Sequence, residues 1–219
     1  MKKAFTMIEL VFVIVVIGIL AATIIPRTKT NPLQEAAVQL LSHIRYTQHL
    51  AIVNDVYDSS DNEWYKGRWQ IVFSTSDFTK NVPAYTIFSD SGAYGGDASE
   101  SEIALNPENP DQIMTGGYGN AAAIDIRDSG FKGMKKLNLG LSYGVETVAF
   151  SGGCRSNWAR VAFDYLGRPL QGDHSSMTGP YSAGTKRLLQ SDCLITLGNG
   201  VETVVITIHP ETGYANITF

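Results

Sequence analysis

The sequence predicts an α+β protein: a long, kinked N-terminal helix, membrane-spanning in its lower half, packed on an antiparallel β-sheet head. Three observations predict it. Residues 10–22 are all apolar or Gly, residues 33–53 place apolar side chains at helical spacing, and beyond Asn54 short β-branched runs alternate with turn residues. The composition agrees. A chain of 219 residues suits one head domain plus an extra element, and 17% charged residues with 21 Gly point to turn-rich β structure. Apolar residues make up 44%, enough for a sizeable core. The net charge of -4 draws the chain neither to nucleic acid nor to an anionic membrane surface.

The first element begins after Met1-Lys2-Lys3-Ala4 and runs to Pro26. It is apolar on every face, as expected of a helix inside a membrane or an assembly, and residues 7–25 approach the roughly 20 residues that span a bilayer. Three readings compete. A secretory signal peptide would use Lys2 and Lys3 and the small residues Ala21 and Ala22, but its apolar core would be long and would start at Glu9. A plain signal anchor explains the lysines and leaves Glu9 without a purpose. Cleavage before the apolar run accounts for more of the residues. A carboxylate in hydrocarbon costs several kcal/mol unless paired or neutralised, so Glu9 is a functional candidate, the alternative being a side chain that reaches back to the headgroups.

The stretch Ala4-Phe5-Thr6-Met7-Ile8-Glu9-Leu10-Val11 resembles the prepilin processing motif of type IV pilin-like proteins, a small residue followed by Phe-Thr-x-x-Glu. The family usually has Gly where this chain has Ala4. The resemblance implies cleavage by a prepilin peptidase between Ala4 and Phe5, N-methylation of Phe5, and a role for Glu9 in assembly through the Phe5 amine of a neighbouring subunit. It also implies a single-pass protein of the bacterial inner membrane with its head in the periplasm. The domains are then a leader at 1–4, a transmembrane and assembly helix at 5–26, an amphipathic continuation of the helix at 27–55, and a β-rich periplasmic head at 56–219.

Pro26 predicts a kink, and Asn31-Pro32 can open a new helical segment. From there Leu33, Ala37, Leu40, Leu41, Ile44 and Ala51 share one face as far as about Val53. Strands are expected at 69–73, 84–88, 136–139, 147–150, 159–163, 193–197, 202–208 and 214–219. Asn199-Gly200 fits a hairpin and Pro210-Glu211-Thr212-Gly213 a turn. Residues 89–135 show little periodicity and are expected to form a long loop. Residues 40–52, Gly67-Arg68-Trp69-Gln70-Ile71-Val72-Phe73 and Val161-Ala162-Phe163-Asp164-Tyr165-Leu166-Gly167-Arg168 resemble segments of the minor pilins and pseudopilins of the GspH/FimT type. That family's closing hairpin and Thr-Gly turn are similar to the last thirty or so residues.

No enzyme constellation emerges: there is no P-loop, G-x-S-x-G or H-E-x-x-H. Gly117-Tyr118-Gly119-Asn120-Ala121-Ala122 matches a relaxed GxGxxA but lacks a strand-turn-helix setting. His43, His49, His174 and His209 are scattered. Asp58, Asp61 and Glu63, or Asp90, Asp97, Glu100 and Glu102, could hold calcium, yet neither group has EF-hand spacing, and solvated loops are the better reading. Neither catalytic residues, nor a metal, nor a cofactor are therefore expected. In an oxidising compartment Cys154 and Cys193, each beside a predicted strand, are expected to form a disulfide, the alternative being two separate buried thiols.

The expected function is that of a minor pilin or pseudopilin. Resemblance implies a structural subunit of a type II secretion pseudopilus or type IV pilus, or of a filament for DNA uptake. Its partners would be other pilins or pseudopilins, the prepilin peptidase and an inner-membrane assembly platform. The alternatives are a major pilin of the filament shaft and a membrane-anchored periplasmic binding protein or enzyme. Nucleic-acid binding would need a basic stripe, for which only Arg155, Arg160 and Arg168 offer a local patch.

Overall fold

The computed structural model describes residues 6–24, 31–154, 159–181 and 187–219. The chain divides into two compact units, Met1–Asn31 and Pro32–Phe219.

The first unit holds helix α1, Met7–Ile24. Helix α2, Pro32–Val53, belongs to the second unit. This corrects the expected architecture. The described residues contain no single long N-terminal helix, and none of their helices is long and apolar enough to cross a membrane. Length gives the physical reason: the 18 residues of α1 make roughly 27 Å at about 1.5 Å each, short of a hydrocarbon core of roughly 30 Å. The membrane-spanning lower half and the single-pass inner-membrane location expected from the sequence are withdrawn on that finding. The kink expected at Pro26 lies outside the described residues.

In the second unit, α2 starts with Pro32, whose missing N–H costs nothing in a first turn. It buries Leu33, Ala36, Ala37, Leu40, Ile44, Thr47 and Ala51, a stripe at spacings of one, three and four residues. Each fully buried Leu or Ile on that stripe is worth roughly 1.5–3 kcal/mol. The stripe packs on strands of two antiparallel sheets. The first has the order β2-β1-β6-β7, with β1 Trp69–Ser74, β2 Ala84–Ser89, β6 Arg160–Phe163 and β7 Pro169–Gln171. The second has the order β10-β9-β8-β5, with β5 Thr147–Gly152, β8 Cys193–Gly198, β9 Thr203–Ile208 and β10 Ala215–Thr218. Ile71, Ile87, Val161, Phe163, Ile195, Leu197, Ile206 and Ile208 belong to the core cluster that α2 shares with both sheets.

Two sequence expectations change inside this unit. Residues 136–139 alternate like a strand, but they form a 3-10 turn, Lys135–Leu137, running into the short helix α3, Leu139–Tyr143. Asn138 decides the matter, because its side chain accepts the Leu141 N–H and caps the helix, while Gly144 at φ 69° ends it. Residues 89–135 are no bare loop. They contain β3, Leu105–Asn106, and β4, Asn109–Ile113, and they line the outer edge of β2. Ala104 N–H donates to Ile87 O at 2.9 Å, Ile87 N–H to Met114 O at 3.0 Å and Gly116 N–H to Tyr85 O at 3.0 Å. The edge of β2 is thereby covered, which accounts for the burial of all six β2 residues.

Candidate assembly site

The start of α1 is built by Thr6 and Glu9. The Thr6 N–H and hydroxyl donate to Glu9 Oε2 at 2.9 and 2.8 Å, and the Glu9 N–H donates to Thr6 Oγ1 at 3.3 Å. Thr6 is thus the N-cap and Glu9 the third helical residue of a capping box, in which two otherwise orphaned N–H groups are satisfied reciprocally. The Thr6 N–H and then its hydroxyl hold the exposed Glu9 carboxyl below its ordinary value. A negative charge in a first helical turn is also favoured by the helix dipole. Oε1 takes part in none of these bonds.

Thr-x-x-Glu ahead of an apolar run is itself a helix-start signature, so this local role is legible in the sequence beside the assembly role expected of Glu9. Ala4 and Phe5, the expected cleavage and methylation positions, lie outside the described residues. Along α1 every large apolar residue from Met7 to Leu20 is exposed, from 37% at Val16 to 82% at Met7. Such a helix offers apolar surface all round and a single carboxylate at its start.

In the second unit α2 supplies the polar anchors. Gln39 Nε2 donates to Tyr85 Oη at 2.9 Å and to Lys136 O at 3.0 Å, and it receives Tyr143 Oη on Oε1 at 2.7 Å. His43 Nδ1 shares a 2.7 Å bond with the same Tyr85 hydroxyl, and burial lowers the imidazole to about 4. Gln48 Nε2 donates to Gly167 O at 2.8 Å and Thr212 O at 2.9 Å, so one side chain ties down both the Gly-Arg turn and the Thr-Gly turn. In the first turn Asp164 accepts Leu166 N–H at 3.0 Å, Arg168 N–H at 2.8 Å and the Arg168 Nε–H at 2.8 Å. Arg68, 2% exposed, donates to Pro180 O at 3.1 Å and lies over Trp64 and Tyr181.

Cys154 and Cys193 are joined in a disulfide with a Cα separation of 4.8 Å, at the end of the β5/β8 pairing where Gly152 faces Cys193. The candidate calcium ligands have other work. Asp58 and Asp61 cap local turns through the Ser60 and Glu63 N–H groups, and Glu63 pairs with Lys66. Asp90 accepts the Gly96 N–H at 2.7 Å, Asp97 the Tyr118 hydroxyl at 2.8 Å, and Glu100 pairs with Lys132 at 2.7 Å. Glu102 accepts from Ser99 and from the Gly92 N–H. Among the described residues no three His, Cys, Asp or Glu side chains are grouped to hold a metal. Of the arginines of the local patch, Arg160 is buried and Arg168 pairs with Asp164, while Arg155 lies outside the described residues. Searches against protein-family models, curated proteins and solved structures find no match to this chain.

Proposed function

We propose that this chain is a minor pilin or pseudopilin, a structural subunit that assembles into a filament through α1. The observation that carries the reading is α1 itself, with apolar side chains exposed on all faces and one carboxylate in its first turn. Apolar surface of that extent is stable only when covered, and the α1 helices of neighbouring subunits are its natural cover. Packing them together takes the Glu9 carboxylate out of water, where it needs a cation. Cleavage between Ala4 and Phe5 by a prepilin peptidase supplies one, the new amine of Phe5 on the adjacent subunit. Oε1 of Glu9 is the atom that receives it, since Oε2 is engaged by Thr6. Any other stagger of the two helices leaves a charge unpaired, so the pair sets the axial register. The resemblance of the head segments to the GspH/FimT type supports a place among the less abundant subunits.

Mass spectrometry of the chain isolated from its source tests the processing. The expected N-terminus is a methylated Phe5. An N-terminus at Met1, or one beyond Ala22, contradicts the proposal.

A further inference from the structure

A cleft in the second unit has a volume of about 900 Å³, within the roughly 300–1,000 Å³ usual for small-ligand sites. Phe78 and Tyr118 give it aromatic walls, and Asp97, Asn120, Arg160 and Asp173 supply polar groups. The two rings are held in place: Arg127 lies 5.0 Å from the centre of Phe78, and Phe88 packs against Tyr118 at 6.3 Å. An aromatic surface fixed before a ligand arrives loses little entropy on binding.

The charges around the cleft decide the class of ligand. Arg160 is 9% exposed, and its Nη1 donates to Gln70 Oε1 at 3.2 Å and to Asp173 Oδ1 at 3.4 Å. Glu100, also on the wall, pairs with Lys132 at 2.7 Å. Asp97 receives the Tyr118 hydroxyl on Oδ1 at 2.8 Å. An anionic ligand would compete with Asp173 for the one guanidinium, and would meet Asp97 and Glu100 at close range. A cationic ligand would meet the Arg160 guanidinium and would have to share Asp173 and Glu100 with the cations they already pair with, Arg160 and Lys132. What remains on offer is a set of hydrogen-bonding atoms beside flat apolar faces: Oδ2 of Asp97, Oδ2 of Asp173, which is left over from the Arg160 and Ser175 bonds, and the exposed Asn120 amide. Carboxylate oxygens accept from hydroxyl groups, an amide both donates and accepts, and aromatic faces take apolar C–H surface. A sugar ring presents that combination, with hydroxyls around its rim and C–H groups on its face.

The rim has room for such a ring because Gly119, Asn120 and Ala121 form it from a loop rather than from a helix. The relaxed GxGxxA stretch therefore shapes this cleft, with no helix N-terminus there to receive a pyrophosphate. We propose that the cleft binds a short, neutral saccharide. The proposal is independent of the filament reading, since it involves no residue of α1.

The test uses the full chain with its disulfide intact, kept in solution by a detergent without a sugar headgroup. Maltotriose, cellotriose and tri-N-acetylchitotriose are each titrated at millimolar concentration and followed by saturation-transfer NMR. Sialyllactose and a short lysine peptide serve as charged probes. The expected result is binding of at least one neutral trisaccharide, weakened at least tenfold by Asp97→Ala and by Tyr118→Ala, and unchanged in Glu108→Ala, outside the cleft lining. Asp97 is exposed, so its replacement keeps the fold even if the Tyr118 variant does not. Three results overturn the proposal: no neutral trisaccharide binds, only a charged probe binds, or Asp97→Ala binds as the unaltered chain does.

Discussion

Cys154→Ser breaks the one covalent link between distant parts of the chain. The cysteines are 39 residues apart, and closing a loop of that length removes unfolded-state entropy worth roughly 4 kcal/mol in the chain-entropy model. The enclosed segment leaves the second sheet at β5, contributes β6 and β7 to the first sheet, and returns at β8. It is therefore already anchored in the folded state, and the expected loss comes from the unfolded chain. Urea unfolding of the full chain, followed by tryptophan fluorescence, is the assay. With a slope of roughly 1–3 kcal/mol per M, the midpoint falls by more than about 1 M. Cys193 is fully buried, so Cys193→Ser costs about 1–3 kcal/mol more for a hydroxyl without a partner. The double variant is no worse than Cys193→Ser, because the bond can be lost only once. A Cys154→Ser midpoint equal to that of the unaltered chain, or a midpoint indifferent to reductant, would refute the reasoning.

Other consequences are open to measurement. Burial lowers His43 to about 4 from the ordinary histidine value of 6.5, so the unfolded chain binds the proton more readily. Stability contributed by neutral His43 is complete above about pH 6.5 and falls as the pH drops towards about 4, by roughly 3 kcal/mol. His43→Gln should flatten unfolding midpoints across that window, and an unchanged acid slope would count against the assignment. Tyr85→Phe removes the hydroxyl shared by Gln39 and His43, at a cost of about 1–3 kcal/mol in the same urea assay; a neutral change would show that the network carries no weight. Gly213 has φ 63°, and a Cβ there would run into Gly167 O and Gln48. Gly213→Ala should therefore cost more than about 1 kcal/mol, and a stabilised variant would contradict that.

The strands written in β-branched alternation were legible. β1, β2, β8 and β9 stand within a residue or two of where the sequence puts them: β8 and β9 bury one face and repeat every second residue, whereas β1 and β2, buried on both faces, are marked by short apolar, aromatic and β-branched runs between turn residues. The helical stripe from Leu33 to Ala51 was legible for the same reason at a period of 3.6. What escaped was decided by single side chains or by distant partners. Leu137 and Leu139 alternate as a strand would, yet the capping bond of Asn138 turns them into helix. Pro169 opens β7, only three residues long, and β3 and β4 carry the polar residues Asn106, Asn109, Asp111 and Gln112, so no apolar period marks them. At the candidate assembly site the apolar run and Glu9 are legible, but the helix it forms is shorter than the span the sequence suggests, and the reciprocal bonds of Thr6 and Glu9 are marked only by the Thr-x-x-Glu spacing.

Those bonds separate two roles for Glu9. A capping box accepts Gln as well as Glu at its third helical residue, so Glu9→Gln keeps the helix start and removes the charge, whereas Thr6→Ala weakens the cap and keeps the charge. The decisive measurement is the amount of each variant incorporated into native filaments, normalised to its cellular level and to its processing at Phe5. The account predicts that Glu9→Gln is processed but absent from filaments, while Thr6→Ala is incorporated. Incorporation of Glu9→Gln at the level of the unaltered chain would contradict it.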